Sequence, residues 1–159
     1  MSAKPKTALG YILLSLMPYS RANLLLATHP HRFFNELEQL SGYKHRTLVA
    51  TFQRAKKTGY LHQEENLLKL TEKGRRFVQP YVAEKLNKDV LLFIIFDIPE
   101  QQAFARRRLR LLLRQWHFSQ IQKSVWASQY DFREPLVEAI KELALEDHVQ
   151  LFKGAKLYP

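Results

Sequence analysis

Apolar positions from Thr7 to Met17 recur with helical spacing, and Pro18 stops the run. A second amphipathic pattern runs from about Pro30 to Leu40. It has Pro30 in the first turn and Phe33, Phe34, Leu37 and Leu40 inward. "SGY" (Ser41 to Tyr43) supplies a turn. A third helix is predicted from about Lys44 to Thr58, closed by Gly59. "YLH" and "LLKL" then read as two short strands around the polar turn "QEEN", and "LTEKGRRF" opens a helix capped by Thr71. Segment 20–29 fits a helix or a loop equally. Three helices followed by a two-stranded ribbon is the order of a winged helix-turn-helix.

The pattern changes after residue 88. Val90 to Phe96 is an apolar strand, and a helix is predicted over 99–115 with Pro99 at its first position. "FSQIQKSVWAS" (Phe118 to Ser128) alternates as one strand or a tight pair. "EPLVEAIKELA" makes a helix and "HVQLFKG" a closing strand. The order βαββαβ predicts a ferredoxin-like domain. The fold class expected is therefore α+β: a winged helix-turn-helix with a linker helix over 1–88, then a ferredoxin-like domain over 89–159.

Charge divides along the same line. The formal net charge is +10, with 15 Lys/Arg against 6 Asp/Glu in residues 1–88 and 10 against 9 in residues 89–159. A basic half joined to a near-neutral half points to a polyanion-binding module attached to a second function. Cysteine is absent, which excludes disulfides and thiolate metal sites and fits a reducing, cytoplasmic setting. Lys4 and Lys6 precede the apolar "ALGYILLSLM", but no small-residue cleavage site follows, so export is not expected. No apolar run approaches the ~18 residues of a membrane span. The six histidines follow no zinc-binding spacing, and there is no Gly-rich phosphate loop or recognisable nucleophile motif.

Helical angles sort the third helix into two faces. Leu48, Val49, Phe52 and Ala55 fall on the inward one. Arg46, Ala50, Gln53, Arg54 and Lys57 point away, with Thr47 on the flank. The outward face is basic, has no acid and has a small residue at its centre, which suits a major groove. The predicted DNA-contacting set is Lys44, His45, Arg46, Thr47, Gln53, Arg54 and Lys57, with Lys69 from the ribbon. Glu64 and Glu65 beside Lys69 make the ribbon the poorer phosphate clamp.

Two features of the second half invite chemistry. Asp97 ends the apolar strand, and just before Ile98-Pro99 it is placed to cap the helix that follows, Glu100 adding a second negative charge there. On that helix Arg106, Arg107, Arg110 and Arg114 fall within one arc, readable as a second phosphate-contacting stripe or as a solvated face.

"FDIPE", the arginine-rich helix and "QKSVWAS" resemble the central domain of the phenylacetate-degradation repressor (PaaX) family. That domain is similar to the ferredoxin-fold CRISPR-associated protein 2. "YLHQEENLLKLTEKGRR" before it resembles the family's winged helix. The resemblance covers nearly the whole chain and is most specific over 93–128. Larger members carry a further C-terminal region absent from this sequence, so a minimal version is expected and the small-molecule effector stays open. The resemblance implies a DNA-binding transcriptional repressor, not an enzyme, that forms a homodimer through its ferredoxin-like domains and needs no cofactor. Its partner is double-stranded DNA with a palindromic operator, and "AKLYP" would add an edge strand to the other copy's sheet. The CRISPR-associated relatives imply the alternative, a nuclease or integration factor in which Asp97 binds Mg²⁺ and is catalytic.

Overall fold

The computed structural model describes residues 5–17, 20–64, 67–155 and 157. The chain forms two compact units that divide between Tyr81 and Val82. Together they make an α+β protein with two antiparallel sheets.

The first unit contains α1 (Ala8–Ser15), α2 (Arg21–Thr28), α3 (Pro30–Ser41), α4 (His45–Lys57), β1 (Leu61–Glu64), β2 (Leu67–Leu70) and most of α5 (Glu72–Val82). Segment 20–29, open on pattern alone, is a capped helix. The Ser20 hydroxyl accepts from Asn23 N at 3.2 Å, and the buried Asn23 amide donates to Leu68 O at 2.7 Å, tying α2 to the ribbon. Thr71 caps α5 as expected, accepting from Gly74 N at 3.2 Å. Gly74 lies where any β-carbon would collide with the Tyr60 carbonyl, so this turn of α5 requires glycine. Pro18, read as the stop after α1, and Glu65 and Asn66 of the ribbon turn lie outside the described residues. The core gathers Ile12, Leu13 and Leu16 with Phe33, Phe34, Leu37, Leu48 and Phe52.

The second unit contains β3 (Val90–Phe96), a 3-10 turn (Glu100–Gln102), α6 (Ala103–Gln115), β4 (Ser119–Gln122), β5 (Val125–Ser128), α7 (Arg133–Glu142), a second 3-10 turn and β6 (Val149–Ala155). Residues 82–88 join this unit: Leu86 N donates to Gln129 O, Asp131 N donates to Glu84 O, and Lys85 bridges to Tyr130. Strand order is β4-β5-β3-β6, antiparallel throughout. Alternation along β3 buries Leu92, Ile94 and Phe96 with Leu109, Leu113 and Trp116 of the α6 segment and Leu136 and Ile140 of α7. The opposite face holds Phe93 and Ile95, with Phe93 across from Phe152 of β6. Ile95 and Phe152 remain 39% and 48% exposed.

The helix expected from Pro99 begins later. Pro99 is extended (φ −63°, ψ 161°) and precedes the 3-10 turn, so α6 proper starts at Ala103. Ala155 of "AKLYP" ends β6 and Leu157 is exposed; Lys156, Tyr158 and Pro159 lie outside the described residues. Among the described residues no helix is long and apolar enough to cross a membrane.

Candidate nucleic-acid interface

Helix α4 is fixed from its apolar side. Leu48 and Ala55 are buried, and Phe52 meets Phe34 of α3 edge to face at 5.6 Å. Burial of Leu48 and Phe52 contributes about 2 kcal/mol each. At the C-terminal end Gly59 takes φ 75° and Tyr60 N donates to Ala55 O at 3.0 Å, the closure that a left-handed glycine permits. Lys73 of α5 donates to Thr58 O at 2.8 Å and places its cation at the negative end of α4.

With one face anchored, the other is set. Lys44, Arg46, Thr47, Gln53, Arg54 and Lys57 are all exposed, as is Ala50 between them. No carboxylate among the described residues pairs with Arg46, Arg54 or Lys57. His45 departs from the set. Its ring lies 5.7 Å from Phe34 and 5.2 Å from His31 of α3, and its Nε2 is buried, so it packs against α3 instead of joining the outward face. Lys56 is exposed but does not belong to the outward set. Helical spacing puts it about 120° from Ala50, on the side of Phe52, and its Nζ lies 5.8 Å from the Phe52 ring centre.

The ribbon is internally balanced. Lys69 Nζ lies 2.8 Å from Glu64 Oε2, and His62 Nε2 lies 3.6 Å from the same oxygen. The Lys69 hydrogen bond, reinforced by its charge, holds the Glu64 carboxyl below its ordinary range. Lys69 therefore does not stand beside α4's cations as a free charge.

Asp97 lies at the end of β3 with its backbone N donating to His148 O at 2.9 Å. Its side chain does not cap a helix. Neither the 3-10 turn nor α6 has a side-chain cap, because the extended Ile98-Pro99 segment carries the chain past the carboxylate first. Asp97 is exposed. Glu100 is engaged elsewhere: Arg106 donates to it at 2.7 Å and to Ile98 O at 3.0 Å, and that bond lowers the Glu100 pKa. A divalent cation at Asp97 would find one free carboxylate per chain. No group of three or more His, Asp or Glu among the described residues could hold a metal ion, so the donor set of one chain does not fit Mg²⁺.

The arginine stripe is also partly committed. Besides Arg106, Arg110 donates to Lys123 O at 3.0 Å with its guanidinium 5.7 Å from the Phe96 ring centre. Arg114 lies 5.9 Å from the Trp126 ring, and Arg107 faces solvent. Arg106 and Arg110 thus stitch α6 to the end of the sheet instead of forming an open row.

Residues 91–159 match the family model described as the PaaX protein central Cas2-like domain. The matched segment holds Asp97, α6 and all of the second sheet except Val90. No curated protein and no solved structure matches the chain.

Proposed function

We propose that the chain is a PaaX-like, DNA-binding transcriptional repressor, a homodimer that reads a palindromic operator through α4. The observation that carries this reading is the outward side of α4. Arg46, Gln53, Arg54 and Lys57 are exposed, lack carboxylate partners among the described residues, and surround Ala50, which allows close approach to base edges. Lys44 and Thr47 at the helix start are suited to phosphates. The element order α3-turn-α4-ribbon supports a winged helix, and the strand order β4-β5-β3-β6 supports a ferredoxin-like second domain. The family match over 91–159 supports the kinship. The uncovered Phe93–Ile95–Phe152 face supports a homodimer, since a sheet with helices on one side needs cover on the other.

One observation favours a second reading. The Asp97 carboxylate is exposed at the end of β3, where a second copy would have to supply further oxygen ligands to complete a metal site. The experiment that separates the two uses labelled duplex from the gene's own upstream region, with Mg²⁺ or with chelator, for wild type and Asp97→Ala. Native and denaturing gels are run on the same samples. The repressor reading expects a retarded, intact duplex in every lane. Cleavage that requires both Mg²⁺ and Asp97 would replace it with a nuclease.

A further inference from the structure

The solvent side of α6 carries Phe104, Arg108 and Leu111, which the α4 reading does not use, beside Arg107 and Arg114. Phe104 and Leu111 are 72% and 52% exposed, and their spacing of two helical turns lines them up. Arg108 stands on one flank with its guanidinium 5.8 Å from the Phe104 ring, and Arg107 and Arg114 stand on the other. Helix α6 contains no acidic residue, and no carboxylate among the described residues pairs with any of these three arginines. An exposed aromatic and an exposed leucine flanked by arginines, without Lys or Glu, include residue types enriched at protein interfaces.

We propose that this face of α6 docks an acidic amphipathic helix of a partner protein. Apolar side chains of the partner, at helical spacing, would cover Phe104 and Leu111. Glu or Asp on the partner's two flanks would meet Arg108 on one side and Arg107 and Arg114 on the other. A second copy of this face is a poor occupant, because it would set guanidinium against guanidinium with no acid to separate them. A duplex would satisfy the arginines, but its phosphates would give Phe104 and Leu111 no apolar partner. A lipid surface would gain only two apolar side chains from this helix, too few for stable insertion.

The test uses the full chain and a fluorescein-labelled synthetic peptide of about 18 residues, helical, with Leu at i, i+3 and i+7 and Glu on both flanks. Fluorescence anisotropy compares it with a scrambled peptide of equal composition, a random duplex, and vesicles containing phosphatidylserine. The ordered peptide is expected to bind at least about tenfold tighter than the scrambled one and to shift the backbone amide resonances of residues 103–115. Phe104→Ser/Leu111→Ser and Arg107→Gln/Arg108→Gln, all at exposed positions, should each weaken it about tenfold with unchanged thermal melting. Equal binding of the scrambled peptide, or full binding by both variants, would overturn the proposal and assign the attraction to the chain's net charge. Shifts in 103–115 caused by duplex or vesicles and not by the peptide would also overturn it.

Discussion

Phe34 and Phe52 meet edge to face, their ring centres 5.6 Å apart and their planes at 71°. This contact joins α3 to α4 and determines which side of α4 water sees. Phe52 is near the middle of the helix, so rotating the helix to expose Leu48 or bury Arg54 would break the pair. The orientation of the candidate DNA-reading face is a consequence of core packing.

Removing the ring should therefore loosen α4 itself. Phe52→Ala is expected to lower stability against opening by about 3 kcal/mol, from lost burial and the cavity left beside Phe34. Hydrogen exchange of the α4 amides would measure it. Protection unchanged from wild type would show that Phe52 does not anchor the helix.

The uncovered side of the second sheet gives a prediction about assembly. Phe152 lies opposite Phe93 and is 48% exposed, so replacing it costs little core packing. If the proposed dimer uses this face, Phe152→Glu should sediment as a monomer while the melting of the isolated chain stays close to that of wild type. A wild type that sediments as a monomer, or a variant that remains a dimer, would remove this face from the interface.

The ends of three helices show how much of the fold was legible. Helices α4, α6 and α7 each close with a left-handed residue followed by a backbone bond that spans five residues. Tyr60 N donates to Ala55 O, Phe118 N to Leu113 O and Leu145 N to Ile140 O. The left-handed residues are Gly59, His117 and Ala144. Only the first announces itself in sequence, because glycine alone takes that conformation without penalty. At Ala144 (φ 51°) the structure carries a backbone cost that glycine would relieve. Ala144→Gly should stabilise the protein by roughly 0.5–1 kcal/mol in urea denaturation. A loss of stability would mean that the unfolded chain's added freedom outweighs the relief.

Other features depended on contacts that periodicity does not encode. Helix α2 is held partly by Asn23 reaching Leu68, a bond between positions far apart in the chain. His45 was grouped with the DNA-contacting residues at the start of α4, yet its ring packs beside Phe34 and His31 of α3. Helical spacing placed Arg106, Arg107, Arg110 and Arg114 within one arc. It could not show that Arg106 reaches Glu100 and the Ile98 carbonyl, or that Arg110 reaches the Lys123 carbonyl. The Asp97 cap failed for a local reason: the Ile98-Pro99 segment and a 3-10 turn separate the carboxylate from the free amides of α6. The strand β3, the inward face of α4, the Thr71 cap and Phe33, Phe34 and Leu37 of α3 follow from local pattern alone, whereas Leu40, expected inward at the end of α3, is 71% exposed.

The central claim is that α4 reads DNA sequence, and fluorescence anisotropy with Arg54→Ala tests it most directly. A duplex from the upstream region and a random duplex of equal length would be titrated at several salt concentrations. Loss of a bidentate base contact should weaken the upstream duplex by about 1–3 kcal/mol, while binding to the random duplex changes much less and the dimer persists. Wild-type affinity should also fall steeply with salt as counterions are released. Equal affinity of wild type and Arg54→Ala for both duplexes would contradict the assignment of α4 as the reader.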